Sequence, residues 1–215
     1  MKPPLWLDLS LWSADLANLE REIARFGPLA DGFHLDVCDG HFAPVLLFFP
    51  DLVARLRTLT AKPFHVHLMA TRPMDLLPAF LEAGADEITV PLELGKRAWA
   101  VKDAVKRAGK RFGVSLDFDS PVEAAAEWRL KVDTLVMMGT RMGVKGCAPS
   151  PEAAVRMAEA ARVFAGTGVR LLADGAIRRE SVGELREAGA TGIVPGSLIF
   201  GAADPAETAA WLRQL

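Results

Sequence analysis

The sequence predicts one α/β domain over residues 1–215, a (β/α)8 barrel of the TIM type. Three observations carry this. Eight short apolar runs alternate with longer helix-period segments, at the spacing that eight strand–helix units need. The chain of 215 residues suffices for one well-cored domain and lies near the small end for this fold. No Ser/Gly linker, low-complexity tract or break in composition divides it. An open doubly wound sheet is the alternative. The lack of a G-x-G-x-x-G run after the first strand weakens it.

The strands are expected at Leu5–Ser10, Gly32–Val37, Pro63–Leu68, Glu87–Val90, Arg111–Leu116, Thr134–Met138, Val169–Ala173 and Gly192–Pro195. Amphipathic segments lie between them: "ADLANLEREIARF", "PDLVARLRTL", "PMDLLPAFLEA", "AWAVKDAVKRA", "PEAAVRMAEAARVF" and "SVGELREAGA". Ser13 and Asp15 suit the start of the first, Asp51 after Pro50 the start of the second, and Pro151 the first turn of the fifth. "FLEAGADEITVP" (Phe80–Pro91) echoes "LREAGATGIVPG" (Leu185–Gly196) half a chain later. The echo reads either as two half-barrels or as a common helix-to-strand turn.

A net charge of -2 offers nothing to nucleic acid or an anionic membrane surface. The opening "MKPPLWLDLSLWSADL" is too short and too interrupted for a signal peptide or a membrane span. The two cysteines, Cys38 and Cys147, have neither metal-type spacing nor a disulfide framework, so a reducing cytoplasm is expected.

The chemistry concentrates in "GFHLDVCDGHFAP" (Gly32–Pro44). His34 and Asp36 stand two apart in a strand and so share a face. "FHVHLM" does the same with His65 and His67. Inward side chains near the C-terminal strand ends meet at the mouth of a barrel. That places His34, Asp36, one of His65 and His67, and Asp174 of "LLADGAI" within reach of one another. Two His and two Asp converging there suit a divalent transition metal. His41 is read as loop surface, Asp39 as a brace for the turn at Gly40, and Cys38 as packed behind the sheet. Glycines give a second signal. "GTRMGVKGC" (Gly139–Cys147), "DGAI" and "PGSLIF" follow strands six, seven and eight, where such barrels commonly bind phosphate.

These runs resemble the ribulose-phosphate 3-epimerase family, in order and over nearly the whole chain. "LSLWSADLANL" resembles S-I-L-S-A-D-F-x-x-L, with Ser10 at the first serine. "HLDVCDGHFAP" resembles H-x-D-V-M-D-G-x-F-V-P, and "HVHLMATRP" resembles D-V-H-L-M-V-x-x-P. "LLADGAI" and "VPGSLIFG" resemble V-D-G-G-I and A-G-S-x-x-F. The resemblance implies one divalent ion (Zn, Fe, Mn or Co) on His34, Asp36, His67 and Asp174, and selects His67 over His65. It implies epimerisation at C3 of a ketose phosphate of the ribulose 5-phosphate/xylulose 5-phosphate type, with Asp36 and Asp174 alternating as base and acid.

The expected substrate contacts are Ser10, His67, Met69, Met138, Arg141, Gly143, Lys145, Gly146, Gly175, Ala176, Gly196 and Ser197, with Met142 as a further wall residue. A homo-oligomer and a small-molecule sugar phosphate are the expected partners. Departures cluster around the substrate. Pro91 replaces the histidine of H-x-E while Glu93 is kept. "LDFDSP" replaces an N-P-x-T-P type run, the loop with Arg141 and Lys145 replaces S-V-N-P-G-F-G-G-Q, and Ala176 replaces a glycine. The rivals are a metal-free phosphate-binding lyase or decarboxylase, and a sugar-phosphate sensor. Cys38 stands where the decarboxylase run Asp-x-Lys-x-x-Asp needs lysine.

Overall fold

Polar and apolar residues alternate along "FHLDV" and "FHVHLM", yet every residue of both runs is buried. Such strands need a core on each face. In the computed structural model, which describes residues 3–215, the sheet supplies both by closing on itself. The strands are β1 (Trp6–Ser10), β2 (Gly32–Asp39), β3 (Phe64–Met69), β4 (Glu87–Pro91), β5 (Arg111–Leu116), β6 (Thr134–Met138), β7 (Arg170–Asp174) and β8 (Gly192–Val194). Each pairs in parallel with its neighbours, and β1 closes the ring by pairing with β8 (Trp6↔Gly192) and β2 (Ser10↔His34). The barrel is thus the observed fold, and the open sheet is set aside.

The helices α1 (Leu19–Phe26), α2 (Pro50–Arg57), α3 (Pro73–Glu82), α4 (Lys96–Arg107), α5 (Ala153–Val163), α6 (Val182–Glu187), α7 (Ser197–Phe200) and α8 (Pro205–Gln214) accompany the barrel. Between β5 and β6 the chain forms a 3-10 helix, Val122–Trp128. That segment, α7 and α8 lie outside the six amphipathic stretches read from the sequence. Asp15 caps a short 3-10 turn ahead of α1, accepting from Ala17 N at 3.1 Å. Pro50 occupies the first turn of α2 as expected, whereas Pro151 lies in a turn just before α5.

The main hydrophobic core lies between the strands and the helices. Leu7, Leu9, Phe33, Leu35, Phe64, Val66, Ile88, Phe112, Val114 and Leu135 of the strands are all fully buried in it. Burying each such side chain contributes about 1.5–3 kcal/mol. The barrel interior is polar instead, holding buried Asp8, His34, Asp36, His65, His67, Thr89, Ser115 and Thr134. An ordinary barrel interior is filled by branched aliphatics.

Cys38 corrects the sequence reading. It does not pack behind the sheet. It belongs to a second, smaller core with Met69, Val136, Met138, Met142, Leu172 and Val194, at the mouth. Period two explains this, because position 38 is two beyond Asp36 and must share its face. The echo between the two half-chains is local turn chemistry. Gly84 and Gly189 both have positive φ, Ala85 N donates to Phe80 O, and Ala190 N donates to Leu185 O. The same pattern recurs at Gly109, with Lys110 N donating to Val105 O. Three repeats of one helix-ending motif reflect the needs of a tight turn.

Candidate active site

Register brings the ligand-type residues together. Asp36 pairs with His67 across β2 and β3, and Asp174 closes β7. Ligand atoms of His34, Asp36, His67 and Asp174 all lie within 4.8 Å of one another. His34 Nε2 is 3.3 Å from Asp36 Oδ1 and 3.6 Å from Asp174 Oδ2. His67 Nδ1 is 3.6 Å from Asp36 Oδ1 and 3.9 Å from Asp174 Oδ2. Ser115 Oγ holds the far nitrogen of His67 at 2.8 Å, which aims Nδ1 at the carboxylates. Ser10 Oγ donates to Asp36 Oδ2 at 3.0 Å, and Gly175 N donates to Asp174 Oδ1 at 2.6 Å.

This cluster fits a divalent cation. Nε2 of His34 and Nδ1 of His67 are buried without a hydrogen-bond partner. Buried polar groups are almost always satisfied, so orphaned nitrogens converging with two carboxylates are the donor set a transition metal uses.

The two carboxylates are driven apart. Burial disfavours the charged form of Asp36, but His34 and His67 outweigh it and hold the carboxyl far below the usual range. Burial and the nearby Asp36 push Asp174 up to about 7, against the pull of His34. Burial lowers His67 to about 4, with repulsion from His34 adding to the effect. His34 goes the other way. Burial would lower it, but Asp36 above all raises it well above the ordinary histidine value.

A cavity of about 240 Å³ opens above Asp36 and Asp174 at the C-terminal end of the barrel. His34 and His67, fully buried, lie beneath it. The sequence-derived residues Ser10, Met69, Met138, Arg141, Gly143, Lys145, Gly146, Gly175, Ala176, Gly196 and Ser197 all line it. Met142 packs in the apolar cluster beside it, its Sδ 3.9 Å from Ser115 Oγ. Gly143 (φ 70) lets the loop after β6 press on the loop after β2, where an added Cβ would come within 2.4 Å of Ala43. Gly175 (φ 88) is equally constrained, by Thr140.

The loop cations differ. Arg141 pairs with Asp119 at 2.6 Å and is 61% exposed, so its charge is committed at the rim. Lys145 reaches across the mouth and donates to Trp12 O at 2.8 Å. His41 is exposed, and Asp39 accepts from His41 N, Phe42 N and Thr71 N, which makes it the expected brace. Glu93 holds the "LDFDSP" run by accepting from Asp117 N at 2.9 Å and Ser120 Oγ at 2.6 Å.

The sequence reading missed several neighbours. Trp12 and Arg178 line the cavity, and Arg178 Nη1 lies 3.4 Å from Ser197 Oγ. Nothing in local spacing points to either. Asp8 was within reach, since it shares a strand face with Ser10.

The chain matches the ribulose-phosphate 3 epimerase family over residues 6–200. It is 36% identical over 198 residues to a ribulose-phosphate 3-epimerase of Treponema pallidum (strain Nichols), covering 89% of each chain. The chain belongs to the ribulose-phosphate 3-epimerase family. A second member, the cytoplasmic isoform of Oryza sativa subsp. japonica, is 33% identical over 210 residues, 95% of this chain and 91% of that one. The named members of this epimerase family are isomerases acting on a carbohydrate phosphate. Among solved structures, a 3-keto-L-gulonate-6-phosphate decarboxylase from Vibrio cholerae superposes with a TM-score of 0.73 at 18% identity, covering 100% of this chain and 97% of that one. That likeness is one of fold. Among the described residues no helix is long and apolar enough to cross a membrane.

Proposed function

We propose that this chain is a metal-dependent ketose-phosphate 3-epimerase of the ribulose 5-phosphate/xylulose 5-phosphate type. One observation carries the reading. Two inward carboxylates of one floor, Asp36 and Asp174, have opposite charge preferences and share the floor with two unpartnered histidine nitrogens, His34 Nε2 and His67 Nδ1. Pairs of titratable groups pushed apart in this way mark a base and an acid. Ionised Asp36 accepts the C3 proton from one face of the sugar, and protonated Asp174 delivers one to the other face. For the opposite epimer the roles reverse.

His34, Asp36, His67 and Asp174 would hold one divalent ion, which supplies Lewis-acid stabilisation of the enediolate charge. Ser10 orients Asp36, and Gly175 N orients Asp174. Met69, Met138 and Met142, with Val136, Leu172 and Val194, wall the site with polarisable, water-excluding surface. Gly175, Ala176, Gly196, Ser197 and Arg178 line the side of the cavity where the substrate phosphate is placed in this reading. A cytoplasmic setting and self-association belong to the same reading. Support for them comes from two unpaired cysteines and from exposed Leu46 and Phe49 between β2 and α2.

The test is a panel of ketose phosphates in D₂O, scored for deuterium at C3 and for epimer formation. At least one pentulose phosphate is expected to exchange and epimerise. A panel with no exchange on metal-loaded protein contradicts the reading. Unphosphorylated counterparts are expected to lose roughly 10³-fold in kcat/KM, because two or three hydrogen bonds to a charged group vanish. Equal turnover with and without the phosphate would remove it from the reading. Lys145→Ala is expected to change the substrate ranking about tenfold or more, and Arg141→Ala less, because Asp119 already engages Arg141. The ranking also decides whether D-ribulose 5-phosphate or another tetrulose, pentulose or hexulose phosphate is preferred.

Metal binding is expected to weaken as pH falls below 7. The sign follows from the shifts. Without metal, His34 is raised well above the ordinary histidine value, so it holds its proton at pH 6. A cation must displace that proton, at about tenfold in affinity per pH unit. Chelator-competition titrations at pH 8, 7 and 6 measure the slope. A flat profile contradicts it.

A further inference from the structure

Below the four converging groups lies a second buried layer. Asp8 sits on β1 two residues before Ser10 and is 1% exposed. Its Oδ2 is 2.6 Å from His65 Nδ1 and 3.6 Å from His34 Nδ1. The other nitrogen of His65 is 2.7 Å from Thr89 Oγ1. An ionised carboxylate only accepts. His65 Nδ1–H therefore donates to Asp8, and the other ring nitrogen is hydrogen-bonded to Thr89 Oγ1. The hydrogen-bonded chain runs from β4 through β3 to β1 and ends on the oxygen that faces His34.

Two glycines leave the space this requires. A Cβ at Gly32 would come within 2.8 Å of Asp8 Oδ1, and one at Gly113 within 2.2 Å of Thr89 Oγ1. The family run quoted above carries Asp at the position of His65. Here the carboxylate comes from β1, on the other side of β2, instead.

We propose that Asp8 is a positioning residue for His34, held in place by His65 and Thr89, and that it keeps the His34 Nδ1 proton turned inward so that Nε2 faces Asp36 and Asp174. The inference rests on the metal-ligand reading of His34. Outer partners of this kind orient a ligating imidazole and typically change metal affinity 10–100-fold. A tilt of the His34 ring would spoil the 3.3 Å and 3.6 Å approaches of its Nε2 to the two carboxylates.

Asp8→Asn is nearly isosteric and tests the idea directly. Metal-loaded wild type and variant are mixed with excess chelator, and the loss of metal is followed in time, with circular dichroism run alongside. The variant is expected to fold and to lose metal 10–100-fold faster. The double variant Asp8→Ala/His65→Asp moves the carboxylate to β3 and is expected to hold metal better than Asp8→Ala alone. A folded Asp8→Asn that keeps metal as firmly as wild type overturns the proposal. So does an Asp8→Asn that is unfolded even when loaded, because the role is then structural. A wild type that binds no divalent ion overturns the metal reading and this inference with it. A wild type that binds it firmly, beside a variant that does the same, overturns this inference alone.

Discussion

Asp36→Asn and Asp174→Asn are each expected to lower kcat by about 10²–10⁴-fold, the range a positioned acid or base contributes, while the barrel stays folded. The two variants should not be equivalent. Each carboxylate serves one face of the reacting carbon, so each variant is expected to retain solvent exchange of the proton from one epimer and to lose it for the other. The environments of the two groups make the same point. Asp36 is held ionised by His34 and His67 against its burial, whereas burial beside Asp36 pushes Asp174 up to about 7. Asparagine keeps the shape of either residue and still accepts from Ser10 or Gly175 through its amide oxygen. Metal content is measured on the same samples, because both residues belong to the donor set. Turnover within about threefold of wild type in either metal-replete variant would remove that residue from the proton transfer.

His67→Ala is expected to abolish firm metal retention, with metal content after dialysis falling at least tenfold, while His41→Ala leaves it unchanged. His67 is fully buried, with Nδ1 facing both carboxylates and Nε2 tied to Ser115 at 2.8 Å. His41 lies exposed on the loop after β2. The same substitution at two histidines separates ligation from mere imidazole content. Truncation at 67 also strands the Ser115 hydroxyl at a cost of about 1–3 kcal/mol, so a thermal melt accompanies the metal assay. Equal metal loss in both variants would discard the four-residue site.

Much of this is legible in the sequence. Alternation of His34 with Leu35 and Asp36 placed the two polar side chains on one face, and eight recurring apolar runs supplied the barrel. The loop glycines and Lys145 line the cavity. Cys38 was misread although the same alternation put it beside Asp36. Trp12 and Arg178 carried no periodic signal, because Trp12 sits in a single 3-10 turn and Arg178 in an irregular connection.

The sequence by itself determined which side chains face inward, since that depends only on the period of an extended chain and the burial of its apolar half. It could not decide between His65 and His67 from spacing, because both share one face of β3 at different heights. The family motif selects His67, and the tertiary structure is what sets it beside Asp36. Strand stagger sets Asp36 beside His67, whereas Asp8, from the start of the chain, meets His65 one layer lower. It also decided that Arg141 is engaged by Asp119 while Lys145 spans the mouth. Contacts of this kind join residues 22 to 133 positions apart, and they exist only once the ring of strands has closed.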